Sequence, residues 1–273
     1  MSQTSGPPPP DSDARSFASY DTTPANGMAE NVRQYEREGY TLCPQVLSPA
    51  ELRSFTETIN QYVEQETAHG RRPEHLDAPH IADPRFLRLC SHPSILDAVE
   101  PFIGPNIVLF ASQIICKAKG DGLEVPWHQD GIYWDLEPMN VITLWLAIDE
   151  STVENGCMRV VPGTHTRGPI EHVEIENPQT KVLHRGIPVR EFDASKWVDC
   201  VLPPGGASFH APYLIHGSAP NRSTKRRCGY TMRLMPPETK LLRDGPLAKW
   251  FANHPIYLLR GRDKAGVNSY ANM

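Results

Sequence analysis

Two histidines and an aspartate constrain the fold of this chain more than any other feature. His128 and Asp130 are two residues apart within Trp-His-Gln-Asp-Gly, residues 127–131, and alternate side chains of a β-strand point to the same side. A fold that uses His216 as a third ligand must return it to that side. Two imidazoles and one carboxylate on one face of a metal suit non-haem Fe(II) and leave positions open for a cosubstrate and O2. These residues predict an iron site for an oxygenase.

The composition excludes several classes of protein. The length of 273 residues is enough for one large domain with a substantial core. Lys and Arg total 27 against 32 Asp and Glu, which argues against nucleic acid as a partner and favours an enzyme acting on a small molecule. The six cysteines include no Cys-x-x-Cys pair and are expected to be reduced thiols in the cytoplasm.

The first part of the chain, residues 1–27, is rich in Pro, Ser, Asp and Thr, and such a segment is expected to be disordered. It lacks the pattern of a signal peptide, and no stretch reaches the roughly 18 apolar residues of a membrane span. The chain ends in Ala-Asn-Met rather than in the peroxisomal Ser-Lys-Leu. We therefore expect a single domain at 28–273, located in the cytoplasm and not bound to a membrane.

Helices are expected before the first strands. One is predicted near residues 29–39, and a second begins where Ser48 can cap it, with Pro49 in the first turn and Glu51 completing a capping box. Its apolar stripe consists of Leu52, Phe55, Ile59 and Tyr62 or Val63. A third helix is predicted over 93–102, ending at Gly104. From Ile107 onward, short β-rich runs indicate a mainly β fold with flanking helices and a jelly-roll core.

Two of the predicted strands alternate between an apolar and a polar face. In the first, Ile142, Leu144, Leu146 and Ile148 alternate with Thr143, Trp145, Ala147 and Asp149; in the second, Cys228, Tyr230, Met232 and Leu234 alternate with Arg227, Gly229, Thr231 and Arg233. The apolar faces are expected to meet the helices, and the polar faces to line the barrel interior. A buried arginine without an anion is costly, so a carboxylate is expected there.

Several stretches of the chain resemble the phytanoyl-CoA dioxygenase family of Fe(II)- and 2-oxoglutarate-dependent oxygenases. They are Val-Pro-Trp-His-Gln-Asp at 125–130, Thr-Leu-Trp-Leu-Ala-Ile-Asp at 143–149, Asn-Gly-Cys-Met-Arg-Val-Val-Pro-Gly-Thr-His at 155–165, Pro-Gly-Gly-Ala-Ser-Phe-His at 204–210 and His-Gly-Ser-Ala-Pro-Asn at 216–221. The resemblance extends from Ile114 to Pro236. It implies a cupin-like double-stranded β-helix whose iron, held by His128, Asp130 and His216, uses 2-oxoglutarate and O2 to oxidise a C–H bond, releasing succinate and CO2.

The resemblance also implies a cosubstrate site. Arg227 lies eleven residues after His216, the usual offset in the family, and its planar fork suits the remote carboxylate of 2-oxoglutarate. The turn at 220–225 is expected to return its strand beside that of His216. Ser218 is expected to donate to the same carboxylate, and by analogy with family positions Trp145, Gln113 and Thr143 are expected to line the pocket.

Asp130 bears on the reaction, because halogenases of this superfamily carry Gly or Ala at the corresponding position. The carboxylate favours hydroxylation, desaturation or ring formation over halogenation.

Candidate substrate contacts are Tyr133, Trp134, Met139 and Arg233. The first three could equally pack the mouth of the barrel without touching a substrate. Arg233 could instead support the metal ligands. Specificity is expected in the segments 69–83, 133–139 and 166–196. The last of these is either a lid or a surface insertion with its own minor strand.

Three further alternatives remain open. A non-catalytic jelly-roll protein, acting in metal binding or regulation, would keep the fold, and an oxygenase can use such a triad without 2-oxoglutarate. Histidines at 165, 172, 184 and 210 are expected to be exposed or hydrogen-bonded, although the parity of His210 allows it to face the same side as His216. A homo-oligomer is an open alternative to a monomer.

Overall fold

The computed structural model describes residues 24–273 of the chain. Its helices are α1 (Pro24–Glu38), α2 (Pro49–Ala68), α3 (Pro79–Ala82), α4 (Pro84–Cys90), α5 (Pro93–Ile103) and α6 (Ala248–Phe251). Its strands are β1 (Tyr40–Cys43), β2 (Leu76–Asp77), β3 (Ile107–Lys117), β4 (Val125–His128), β5 (Leu136–Glu137), β6 (Ile142–Ala147), β7 (Met158–Val160), β8 (Val173–Glu174), β9 (Arg185–Gly186), β10 (Val198–Cys200), β11 (Ala207–His210), β12 (His216–Ser218), β13 (Arg227–Met235), β14 (Lys240–Leu241) and β15 (Tyr257–Arg260).

Two antiparallel sheets form the centre of the fold. The major sheet has the strand order β1-β11-β6-β13-β3-β15, with β2 also paired to β3, and the minor sheet has the order β10-β7-β12-β4. Side chains of the two sheets meet in the interior, where the rings of His210 and His216 have centroids 4.7 Å apart. The predicted class, a mainly β jelly roll with flanking helices, is confirmed.

Helices cover the other face of the major sheet. The capping box of α2 is present as predicted, with Ser48 and Glu51 bonded reciprocally. The apolar residues of α2 join one core with the predicted apolar faces of β6 and β13; this core includes Phe55, Ile59, Tyr62, Leu144, Leu146, Tyr230 and Met232. The alternation in the two strands therefore predicted correctly which face packs against the helices and which faces the barrel interior.

The helix boundaries differ from the prediction mainly near the N-terminus. The first helix begins at Pro24 rather than near residue 29, so it overlaps the last residues of the predicted tail. Residues 1–23 lie outside the described residues, and the boundary at 28 stays a prediction. The third predicted helix is α5, which ends at Gly104 as expected. Sequence reasoning missed α3 and α4, although Asp83 caps α4 and Pro84 opens it, because both helices are too short to show a clear apolar period.

The segment 166–196 forms a small sheet of its own, β8 with β9. It is also bonded to the strand that carries His128, because the amide of Ile187 donates to the carbonyl of Trp127 at 2.7 Å. His172 is buried and accepts from the amide of Gln129 at 3.0 Å. This arrangement matches the insertion with its own minor strands, and a role as a lid stays a prediction.

No helix within 24–273 combines the length and apolar character that crossing a membrane requires.

A buried polar network joins the helices to the major sheet. His80 on α3 contacts the hydroxyl of Ser112 through Nδ1 at 2.7 Å, and the Tyr230 hydroxyl donates to the same oxygen at 3.1 Å. The Nε2 atom of His80 is buried without a partner. Burial, with a smaller contribution from His254, lowers the pKa of His80 to about 3. Protonation of this histidine therefore opposes the folded state.

We expect His80 to make the protein acid-sensitive. Its folded pKa is depressed to about 3 from an ordinary value of 6.5, so the unfolded chain binds the proton first. The free energy of unfolding should decrease as the pH falls from about 6.5 toward 3. His80→Asn, which retains a polar atom near Ser112, should flatten this decrease in urea titrations at pH 7 and pH 4.5. His184→Asn, at an exposed histidine, is the control; equal slopes for all three proteins would contradict this role.

Candidate functional site

His128, Asp130 and His216 come together in the interior as the sequence predicted. One ligand atom from each lies within 4.8 Å of the others, and all three residues are buried. The Oδ1 atom of Asp130 is 3.5 Å from Nε2 of His128 and 3.9 Å from Nε2 of His216. A single metal ion can therefore be held by two imidazoles and one carboxylate oxygen, the donor set of non-haem Fe(II) sites.

Backbone carbonyls orient both imidazoles. The Nδ1 atom of His128 lies 2.8 Å from the carbonyl of Pro126, and Nδ1 of His216 lies 3.0 Å from that of Leu214. A proton on Nδ1 donates to each carbonyl and leaves a lone pair on Nε2. Each lone pair faces the space beside Asp130, where a metal ion would bind. Burial and the neighbouring His128 lower the pKa of His216 well below its usual range, which maintains the neutral ligand form.

Asp130 does not lie on the strand that carries His128. The strand β4 ends at His128, and Asp130 opens a short 3-10 helix, Asp130–Tyr133. The extended backbone of Gln129, at φ −119° and ψ 131°, still places both ligands on the same side. The Gln129 side chain faces away, as predicted, and donates to the carbonyls of Gly168 and Tyr213.

The outer oxygen of Asp130 faces side chains of the major sheet. Thr143 donates to Oδ2 at 3.4 Å, while Nε2 of His210 and Nε of Arg233 each lie 3.7 Å from it. Burial alone would raise the pKa of Asp130, but the charge of Arg233 and the neighbouring imidazoles of His128, His210 and His216 hold it well below its usual range. The carboxylate is therefore charged and ready to bind a cation.

Arg227 is buried on the same interior face of β13 as Arg233, at the opposite end of the strand. Its Nη2 atom donates to the carbonyl of Gly156 at 2.7 Å and to the hydroxyl of Ser218 at 3.3 Å. Its guanidinium lies 5.2 Å from the centre of the Trp145 ring. Burial lowers its pKa to about 10, so it is charged at neutral pH. The Nε atom has no partner, which fits the binding of a carboxylate here.

The strand of Arg227 does not pair with that of His216, contrary to the expectation from the turn at 220–225. The strand β12 belongs to the minor sheet, and β13 pairs with β3 and β6 in the major sheet. Arg227 reaches Ser218 across the interior, from the opposite sheet. The turn crosses between the two layers, which a reading of local turn residues cannot distinguish from a hairpin.

Lys117 is a buried basic residue that sequence reasoning missed. It lies directly opposite Arg227 in the pairing of β3 with β13, and its Nζ atom donates to the carbonyls of Ser218 and Ala219. Burial and Arg227 lower its pKa to about 6. Parity with Gln113, four residues earlier in the same strand, was the signal that could have revealed it.

The other predicted residues divide between two regions. Thr143 and Trp145 face the interior beside Asp130 and Arg227, respectively. Gln113 accepts from Arg233 at 3.2 Å and so lies beside the second arginine, while its role toward the cosubstrate stays a prediction. Trp134 and Met139 are half-buried against an apolar cluster that includes Phe110, which agrees with packing of the barrel mouth. Tyr133 is half-buried beside His172, with ring centroids 6.2 Å apart.

A family model described as Phytanoyl-CoA dioxygenase matches residues 35–229, which is more than half of the chain. The chain belongs to the phytanoyl-CoA dioxygenase family. The matched residues include all three candidate metal ligands, Ser218 and Arg227.

Individual proteins that are similar to this chain support its membership of the phytanoyl-CoA dioxygenase family. The Bos taurus protein "Phytanoyl-CoA dioxygenase, peroxisomal" is 30% identical over 203 residues, covering 71% of this chain and 58% of the bovine protein. A Stutzerimonas stutzeri protein, "Probable alpha-ketoglutarate-dependent hypophosphite dioxygenase", is 27% identical over 217 residues, covering 73% and 76%. The solved structure of ThoJ, a non-heme monooxygenase, superposes with a TM-score of 0.72 at 23% identity, covering 88% and 87%, and shows the same fold. The chain thus spans less than two thirds of the bovine relative.

Gly229 allows Trp145 to reach its position beside Arg227. A Cβ atom at Gly229 would lie 2.0 Å from the Trp145 ring. Gly229→Ala should therefore displace the ring and weaken 2-oxoglutarate binding by about tenfold, the range for losing a charged contact, with little change in metal affinity. Calorimetric titration of the metal-free protein with Mn(II), and of the Mn(II)-loaded protein with 2-oxoglutarate, measures the two constants. Thr224→Ala, exposed in the turn before β13, is the control, and an unchanged 2-oxoglutarate affinity in Gly229→Ala would contradict the role of Trp145.

Proposed function

We propose that this chain is an Fe(II)- and 2-oxoglutarate-dependent oxygenase. It hydroxylates, or otherwise oxidises, an unactivated C–H bond of a small organic molecule such as a specialised metabolite or an acyl compound. The observation that supports this most directly is the pairing of the buried triad with a buried, incompletely bonded arginine: Ser218, which contacts Arg227, lies two residues after His216. Membership of the family supports the same activity.

The residues of the site have two roles in this reaction: some bind the metal, and others orient the cosubstrate. When bound, iron with 2-oxoglutarate and O2 supplies the oxidising power, and the protein supplies ligands and placement. His128, Asp130 and His216 hold the metal on one face. Arg227 and Ser218 receive the remote carboxylate of 2-oxoglutarate, and the Trp145 ring limits where that carboxylate can lie. This placement directs the keto acid toward the metal in one orientation.

Asp130 supports oxidation rather than halogenation. Its carboxylate occupies the position that a halide would need, and Thr143 donates to its outer oxygen. Hydroxylation, desaturation and ring formation all need the same metal site, so their difference depends on where the substrate presents its C–H bonds. The name of the Stutzerimonas stutzeri relative describes an alpha-ketoglutarate-dependent enzyme, which supports the choice of cosubstrate.

We also propose that 28–273 function as one oxygenase domain in the cytoplasm. All six cysteines are unpaired, five of them buried, which suits a reducing compartment. A small molecule is the partner that this site fits. The absence of nucleic acid and membrane partners stays a prediction, and a homo-oligomer stays an open alternative to a monomer.

Replacing any ligand of the triad should weaken metal binding. His128→Ala, Asp130→Ala and His216→Ala each remove one of three donors. Each should therefore raise the dissociation constant for Mn(II) by at least the roughly 10–100-fold that is typical of losing a residue around the ligands. Electron paramagnetic resonance of free Mn(II) measures the constant. The exposed His184→Ala should bind as the wild type does. Wild-type affinity in any triad variant would remove that residue from the metal site.

Arg227 should determine the affinity for 2-oxoglutarate. Under anaerobic conditions, Fe(II) and 2-oxoglutarate should give the wild type the visible charge-transfer band of a chelated keto acid. Arg227→Ala should lose the band at the same 2-oxoglutarate concentration, because the remote carboxylate has lost its cation. Arg222→Ala, an exposed arginine in the preceding turn, should retain it. Iron binding without the band in the wild type would refute the proposed cosubstrate and favour an oxygenase of another type or a binding protein.

A further inference from the structure

A second, partly buried arginine lies on the same interior face as Arg227. Arg233 is six residues further along β13, which corresponds to about 20 Å of strand. Arg227 contacts Ser218, whereas Arg233 lies beside Asp130. One carboxylate cannot bridge two arginines at this separation. The interior therefore contains two distinct places where an anion can bind, and the proposed cosubstrate uses only the first.

Arg233 has no acidic partner of its own. Its side chain is 11% exposed, and its nearest carboxylate is the metal ligand Asp130, at 3.7 Å. Its Nη2 atom donates to the neutral amide oxygen of Gln113, and its Nε atom is unpaired. Arg226 is the contrast within this chain, because Asp149 accepts from two of its nitrogens at 2.7 and 2.8 Å. Each of the three guanidinium nitrogens of Arg226 is hydrogen-bonded, whereas Nε of Arg233 has no hydrogen-bond partner.

His210 adds two further nitrogens without hydrogen-bond partners at the same place. Its Nε2 atom is 3.7 Å from the outer oxygen of Asp130, and the side chain is only 2% exposed. Neither ring nitrogen has a hydrogen-bond partner. Buried polar atoms are rarely left without partners, because they have lost their hydrogen bonds to water. Unpaired nitrogens from two strands, β11 and β13, therefore indicate a polar ligand beside Asp130.

The charges of the assembled site also favour an anion. A metal dication, the Asp130 carboxylate, a dianionic 2-oxoglutarate and the two arginines leave one positive charge uncompensated. Lys117, which lies opposite Arg227 and bonds two backbone carbonyls, can only add to this positive charge. Glu74 is already bonded to Arg72. An uncompensated buried charge is unfavourable, and a substrate with one negative charge would neutralise it.

We propose that the substrate is a small carboxylic acid whose carboxylate binds Arg233 and His210. This inference rests on the proposed function and specifies its substrate class. The planar fork of Arg233 can donate two parallel hydrogen bonds to a carboxylate, and the ring of His210 can add a third. The half-buried ring of Trp134, 5.6 Å from the Arg233 guanidinium, provides apolar surface for the rest of the molecule. A carboxylate held here lies beside the metal ligands, so the oxidised carbon is close to the acid group.

Matched pairs of an acid and its amide test this site. The full chain is loaded anaerobically with Fe(II) and saturating 2-oxoglutarate, and equilibrium dialysis measures its affinity for hexanoate against hexanamide and for 3-phenylpropanoate against 3-phenylpropanamide. At least one acid should bind the wild type about tenfold or more tightly than its amide, as expected for a charged hydrogen bond. The proposal is wrong if neither acid is preferred to its amide.

Variants assign the preference to Arg233. Arg233→Gln should abolish the difference between acid and amide, Arg233→Lys should retain part of it, and the exposed Arg222→Gln should leave it unchanged. A different outcome, in which Arg233→Gln weakens iron binding but retains the acid preference, would overturn the proposal and assign Arg233 to holding Asp130. The charge-transfer band of the same samples separates this test from that of the proposed function. A band without acid preference rejects only the acid site, whereas an Arg233-dependent acid preference without a band rejects only the cosubstrate.

Discussion

The antiparallel pairing of β12 with β4 is the interaction on which the site depends. Its register places His216 directly opposite His128, although the two residues are far apart in sequence. A slip of one residue would turn one imidazole out of the interior, because side chains alternate between the two faces of a sheet. Asp130 follows within two residues of His128, so this one register brings all three candidate ligands together.

The two sheets contribute different parts of the site. The minor sheet and the turn after β4 supply the metal ligands, whereas the major sheet supplies the residues around them: Arg227, Arg233, Thr143, Trp145, His210 and Lys117. The outer oxygen of Asp130 lies where the two sets meet. A rigid major sheet, covered on its other face by α2, α4 and α5, thus places charged side chains at defined distances from the metal ligands, which loops alone achieve less accurately.

The interior of this fold is an unusual place for charge, and its cations outnumber its anions. Asp130 is a buried acid beside Arg233, and Arg227 lies six residues away from Arg233 along β13. Unpaired nitrogens remain on both arginines. Such an interior is unfavourable in isolation, and binding of anionic small molecules relieves this cost. The same imbalance that destabilises the empty fold therefore provides affinity for ligands.

The sequence by itself determined the fold class, the capped helix α2, the triad and the interior face of β13, because each follows from local spacing, alternation or capping residues. The described structure decided which residues distant in sequence lie next to one another, which local sequence patterns do not show. It placed Arg227 on the opposite sheet from His216, set Lys117 against Arg227 and brought His210 and Arg233 to Asp130. The physical reason is that strand parity fixes the side to which a residue points, whereas its neighbours across the interior depend on pairing between strands distant in sequence.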